Sequence, residues 1–161
     1  MGRHRFQQNQ WLSISLEQAW EYFSEPANLA ELTPPAMGME LLSAAEELHV
    51  GQILCHRVRA LPGVALTWVS EITAVDPGRG FVDEQRRGPF AFWRHQHVLE
   101  PEDGGVRVFD TIDYSPGFWV FGDLANWIYV RGHLQRTFNY RRRVLEGKFG
   151  REALKRAPDG E

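Results

Sequence analysis

A chain of 161 residues with 43% hydrophobic and 24% charged residues has the size and composition of one ordinary globular domain, which excludes disorder and a coiled coil. A core at this length can bury roughly 70% of the surface an unfolded chain exposes, so no metal or disulfide staple is needed. The lone Cys55 excludes an intrachain disulfide and any CxxC metal or redox site. Net charge is −3, but residues 1–130 hold nine Lys/Arg against seventeen Asp/Glu and residues 131–161 hold nine against four. The basic C-terminal residues are not interleaved with exposed aromatics, which argues against a nucleic-acid surface.

Met1–Gln8 carries charge without an apolar h-region, and no apolar run approaches the ~20 residues of a bilayer span. A cytoplasmic protein is the expectation. Residues 1–150 read as one ligand-binding domain and residues 151–161 as a frayed basic tail. Six Trp, ten Phe and four Tyr are many for such a chain, and they either fill a bulky core or line a cavity.

From Arg5 to Ser15 apolar and polar residues alternate in the manner of a strand. Ser15 is placed to cap a helix that carries Leu16, Ala19, Trp20 and Phe23 at helical spacing. A second short helix over Ala27–Leu32 opens after Pro26 and ends at Pro34-Pro35. Six strand-like stretches follow: Glu40–Ser43, Gln52–Ala60, Ala65–Val75, Phe81–Arg86, Phe92–Glu100 and Val106–Tyr114. Turn residues separate them at Leu61-Pro62-Gly63, Asp76–Gly80, Arg87-Gly88-Pro89 and Asp103-Gly104-Gly105. Connections this short make antiparallel neighbours. After Pro116-Gly117 the period becomes helical, with Leu124, Ile128, Leu134, Phe138, Leu145 and Phe149 tracing a stripe over Gly122–Phe149. Gly132 interrupts the stripe, which suggests a bend or a close contact there.

The pattern predicts an α+β architecture. A seven-stranded curled antiparallel sheet wraps around the long C-terminal helix, with two short helices after strand 1. A helix lying in the concavity of a curled sheet leaves space between the two. Four segments carry a family resemblance: Ala19-Trp20-Glu21-Tyr22-Phe23-Ser24-Glu25-Pro26-Ala27-Asn28-Leu29, Phe81–Phe90, Trp93–Pro101 with Gly104-Gly105, and Phe138-Asn139-Tyr140-Arg141-Arg142-Arg143. Through them residues 3–150 resemble the helix-grip superfamily of START lipid-transfer domains, birch-pollen-allergen-like proteins and polyketide cyclase/dehydrase-like proteins (SRPBCC). Within it they look like a bacterial subgroup labelled cyclase/dehydrase-like or cell-division inhibitor. The resemblance implies a hydrophobic cavity that binds a lipid or another small molecule, without a cofactor.

The hairpin Trp93–Tyr114 can be put in register directly. With Asp103-Gly104 as a two-residue turn of type I′ preference, Leu99 faces Val108, His97 faces Asp110, His95 faces Ile112 and Trp93 faces Tyr114. All eight side chains share one face. The opposite face, with Arg94, Gln96, Glu100, Arg107, Thr111 and Asp113, is far more polar, so the first is the inner one. Opposed pairs lie about 4.5–5.5 Å apart at Cβ, which lets Asp110 accept from His97. Three readings stand for this group: an internal ion pair that fixes register, a polar anchor for a ligand head group, or a metal site or acid–base dyad. His95, His97 and Asp110 match a two-His, one-carboxylate metal set in composition. One strand and its neighbour rarely aim all three at one point, so no metal is assigned.

Alternation adds His56, with Leu54 and Val58, and Trp68, with Leu66, Ser70 and Ile72, as wall candidates. Trp127 joins them from the long helix, and Phe118 from the connection before it. The apolar Phe118–Phe121 loop reads as a pocket lid, a homodimer or protein-partner contact, or packing against the helix. Arg141-Arg142-Arg143 points in three directions about 100° apart around the helix and reads as a solvated face, paired with Glu17, Glu21 or sheet carboxylates. No glycine-rich phosphate loop, GxSxG elbow or HExxH helix occurs. Three functions follow: binding of an apolar or amphipathic small molecule, a cyclase or dehydratase using His97 with Asp110, or an interaction module with a shallow or filled cavity.

Overall fold

The computed structural model describes residues 2–43, 47–61, 64–116 and 123–150. It excludes the side chains of residues 60, 61 and 123–127. Phe118, the rest of the Phe118–Phe121 loop, the Trp127 side chain, the Pro62-Gly63 turn and the 151–161 tail therefore lie outside the described residues.

Strand β1 (His4–Leu12) leads into α1 (Leu16–Phe23) and α2 (Asn28–Glu31). Ser15 caps α1 as the sequence predicts. Its hydroxyl accepts from the Gln18 backbone N–H, and the Gln18 side chain accepts from the Ser15 N–H, a reciprocal box that satisfies two otherwise orphaned donors. A 3-10 turn at Pro35–Met37, not foreseen, precedes the two-residue β2 (Glu40–Leu41). Then come β3 (Ile53–Leu61), β4 (Val64–Asp76), β5 (Gly80–Arg87), β6 (Phe90–Glu102), β7 (Gly105–Pro116) and α3 (Asp123–Phe149). The strands form one antiparallel sheet in the order β1-β7-β6-β5-β4-β3-β2. The last strand therefore joins the first, and the meander runs outward from it.

The β6–β7 register is the one read from sequence, from Trp93 opposite Tyr114 through His97 opposite Asp110 to Leu99 opposite Val108. The turn type differs. Gly104 has φ +74°, and among the described residues none other than glycine has positive φ, so Asp103 stays at negative φ. That combination belongs to a type II turn, in which glycine alone enters the left-handed region.

Two apolar clusters hold α3 to the sheet. Leu12, Ala19, Tyr22, Phe23, Leu99, Val106, Val108 and Leu145 close one end, while Phe6, Ile112, Tyr114, Val130, Leu134 and Phe138 form the second. One stripe position is corrected: Ile128 is 58% exposed. Six residues separate it from Leu134, which is 240° of helix, and Val130, one turn before Leu134, takes the inward place. Gly132 makes no close contact, since nothing lies within 4 Å of a Cβ built there. The side chains of β1 also hold the helix. Gln8 Nε2 donates to the Phe138 carbonyl (3.4 Å) and Gln10 Nε2 to the Arg142 carbonyl (3.1 Å).

Candidate functional site

Between the inner sheet face and α3 lies a cavity of about 810 Å³, within the range of small-molecule sites. Its floor is aromatic. Trp68 and Trp93 meet edge to face at 5.1 Å, and Phe90 packs on both, at 5.6 Å and 4.7 Å. Val130, Leu134 and Phe138 of α3 lie opposite, and Leu29, Leu32, Met37 and Met39 close one side. Val64 and Tyr129 line the cavity and are also exposed, so the mouth lies between the start of β4 and the first half of α3.

One wall is ionic, and Asp110 organises it. Its Oδ1 accepts from His95 Nε2 (2.8 Å) and His97 Nδ1 (2.9 Å), and Arg141 Nη1 approaches to 3.4 Å. His95 Nδ1 is engaged as well, 3.1 Å from Asp83 Oδ1, because β5 places Asp83 directly opposite His95. Both ring nitrogens of His95 thus point at carboxylates, which suits the doubly protonated ring. Burial pushes its pKa down, but the bonds and charges of Asp110 and Asp83 outweigh this and raise it to about 9. His97 goes the other way. Burial is the larger effect, Arg141 and His95 add to it, and its pKa falls despite Asp110. Burial opposes ionisation of Asp110, yet Arg141 and both histidines hold its pKa well below the usual carboxylate range. Two carboxylates, an imidazolium and a guanidinium therefore cancel in charge beside a neutral imidazole.

Trp93, His95, His56 and Trp68 line the cavity as the alternation placed them. His97, Asp110 and Tyr114 do not. His97 is 0% exposed, packed between Phe23 (4.6 Å) and Phe81 (5.2 Å), so the dyad expected to act on a substrate is sealed behind the wall. Tyr114 is 1% exposed beneath Trp93 and Phe90. Metal ligation by His95, His97 and Asp110 meets two obstacles. Their ligating atoms lie within 4.8 Å of one another, but the two N–O spacings to Asp110 are hydrogen-bond lengths, shorter than the roughly 3.3 Å between ligands around a tetrahedral ion. Arg141 also adds a cation at the same oxygen.

Sequence reasoning missed Asp83 and Arg141. The polar alternation of β5 gave Asp83 no inward sign. Arg141 was grouped with a solvated arginine run, but its side chain is only 11% exposed; Arg143 is exposed, and Arg142 donates to the Asn9 carbonyl. The missed signal was position. Leu134, Phe138, Arg141 and Leu145 recur at the 4-3-4 spacing of a buried helix face.

Residues 12–131 match the family model described as "Polyketide cyclase / dehydrase and lipid transport". The chain belongs to this polyketide cyclase/dehydrase family. No curated protein matches it in sequence. Among solved structures it is similar to the Zhui aromatase/cyclase from Streptomyces sp. R1128 (17% identity, TM-score 0.71, covering 91% of this chain and 93% of that one). It also resembles protein CV1439 from Chromobacterium violaceum (14%, 0.70, 92% and 98%) and ginseng major latex-like protein 151 from Panax ginseng (17%, 0.64, 91% and 97%). At these identities the likeness establishes the fold. The family's helix-grip architecture is the one drawn from the sequence, and no helix among the described residues is long and apolar enough to cross a membrane.

Proposed function

We propose that this polyketide cyclase/dehydrase family member binds an amphipathic small molecule in the cavity under α3. The apolar body rests on Trp68 and Trp93, and the polar group meets the wall of Asp83, His95 and Arg141. One observation carries the reading: a cavity of about 810 Å³ stands between the sheet and the helix, where an interaction module would have a shallow or filled one. Burial of apolar ligand surface there contributes roughly 25 cal/mol per Å² before ordering costs. The unpaired Cys55 fits a reducing, cytoplasmic setting.

Acid–base turnover is the weaker reading, because His97 is enclosed and His95 has no free nitrogen to serve as a base. An activity like that in the name of the Streptomyces neighbour would have to use His95 and Arg141 as fixed positive charges. Native mass spectra of gently purified protein, read beside the denatured mass, test the binding reading. The expected result is an adduct of a few hundred daltons that is lost on denaturation. Titration with 1-anilinonaphthalene-8-sulfonate (ANS) gives the second readout, with emission enhanced in the native protein and weakened in Trp68→Ala. A bare native mass together with no ANS response would remove the cavity as a binding site.

A further inference from the structure

Most of the ionic wall is turned in on itself. Both nitrogens of His95 are taken by carboxylates, and Asp110 gives one oxygen to three donors. The Arg141 guanidinium lies against the rings of Phe23 and Phe138, at 5.6 Å and 5.5 Å. Asp83 is different. Its Oδ1 faces His95 Nδ1, and among the described residues no hydrogen bond reaches its Oδ2. The buried side-chain atoms that lack a partner are all nitrogens, on His56, His97, His133 and Arg141, so Asp83 Oδ2 is unpaired and still accessible. The Asp83 side chain is 16% exposed, against 7% for Asp110. Of these two carboxylates it alone lines the cavity.

A carboxylate oxygen can only accept, so the group that meets it must donate. The charge of Asp83 is already balanced by the doubly protonated His95, and the wall as a whole is neutral. A ligand ammonium there would be a buried cation beside His95 and Arg141, its desolvation uncompensated. A ligand carboxylate or carbonyl would set acceptor against acceptor. A neutral hydroxyl donates without bringing charge, and a hydrogen bond to a charged group is the stronger kind. The acceptor is also held in place, because Asp83 stands opposite His95 in the β5–β6 ladder and His95 pins Oδ1, leaving Oδ2 to a ligand.

We propose that Asp83 is the specificity-determining residue of the cavity, selecting an uncharged ligand whose buried end carries a hydroxyl. This rests on the binding reading above and specifies its head group. The hydroxyl donates to Asp83 Oδ2, and the apolar body rests on Trp68 and Trp93.

Four probes of one shape test this by quenching of tryptophan fluorescence: trans-stilbene, 4-hydroxystilbene, 4-methoxystilbene and 4-(aminomethyl)stilbene. The hydroxyl probe is expected to bind about tenfold more tightly than the methoxy probe, the worth of one hydrogen bond to a charged group. The ammonium probe should bind no more tightly than the parent. Asp83→Asn gives the second comparison. Its amide oxygen stays with the His95 imidazolium, so its amide nitrogen turns to the cavity and offers a donor in place of an acceptor. The lead of the hydroxyl probe over the methoxy probe should then vanish, because both oxygens can accept, whereas a lead caused by size would survive. If Asp83→Asn does not fold, the order of the four probes on the native protein decides alone. Equal affinity of the hydroxyl and methoxy probes overturns the proposal, as does tightest binding by the ammonium probe or a lead that persists in Asp83→Asn. Failure of every stilbene to bind also overturns it, and ANS emission in the same protein then shows whether the cavity itself remains a binding site.

Discussion

Asp110 has one carboxylate oxygen facing three donors, on a side chain only 7% exposed. Removing it would leave an imidazolium and a guanidinium together in the interior, and an uncompensated buried charge costs far more than the pair contributes net. Asp110→Ala is therefore expected to lose about 3–5 kcal/mol in urea unfolding, whereas Asp113→Ala, on the outer face with the exposed partner Arg5 (2.7 Å), should lose far less, because solvent screens that pair. The two histidines also shape the pH profile, with opposite signs. His95 has a folded pKa raised to about 9, so the stability it contributes is complete below its unfolded value near 6.5 and is lost as pH rises through 9. His97 has a depressed folded pKa. The unfolded chain takes up that proton first, so stability falls as pH drops below about 6.5. A maximum in Tm is thus expected near pH 6.5, and His95→Gln should flatten the alkaline side alone. Proton NMR of the ring Cε1–H signals separates the two, with His95 titrating near 9 and His97 silent across neutral pH.

Among the elements, the join between β1 and α3 has a simple geometric basis. Two residues of strand advance about 6.7 Å and four residues of helix about 6 Å. Gln8 and Gln10 therefore reach carbonyls four residues apart while strand and helix run the same way. Arg142 answers from the helix by donating to the Asn9 carbonyl at 2.7 Å. Gln8→Ala with Gln10→Ala is expected to cost about 1–2 kcal/mol, and hydrogen exchange should locate the loss in the second half of α3. Gly132 gives the opposite prediction. The space around it is open and the helix runs unbroken through it, so Gly132→Ala should raise stability by about 0.5–1 kcal/mol, measured as a shift in urea midpoint at constant m.

For the molecule as a whole, the architecture could be read because each element carried its own local signal. Ser15 marked a helix start, the turn residues marked strand ends, and Asp103-Gly104 set a register that fixed eight side chains on one face. The ionic wall was legible only in half. His95, His97 and Asp110 belong to the hairpin whose Asp103-Gly104 turn sets an unbroken register out to Trp93 and Tyr114, whereas Asp83 comes from the preceding hairpin. There, pairing Arg87 with Phe90 around Gly88-Pro89 would set Asp83 opposite Arg94, one residue off and on the wrong face; the actual partner is His95. Arg141 was hidden differently, as a charged residue at an apolar address. Which inward residues reach the cavity was legible only in part, because alternation gives a face and not a depth: His95 and His97 share one, and of the two His95 alone lines the cavity. A ligand that occupies that space should raise the unfolding free energy by about 2.7 kcal/mol at a hundredfold excess over Kd, and Tm should rise with its concentration. ANS titrated in a thermal scan measures this, and a flat Tm would contradict binding to the folded state.

The β1–α3 join has a mechanical consequence. Its clamps lie at residues 138 and 142, whereas the stretch of α3 from Tyr129 onward roofs the cavity. The helix is pinned by directional bonds at those two positions and held by apolar contact with Phe6, Ile112 and Tyr114 at Val130 and Leu134. Apolar contact carries no direction, so the side chains along the roof can repack around guests of different thickness while the clamp keeps the helix in register.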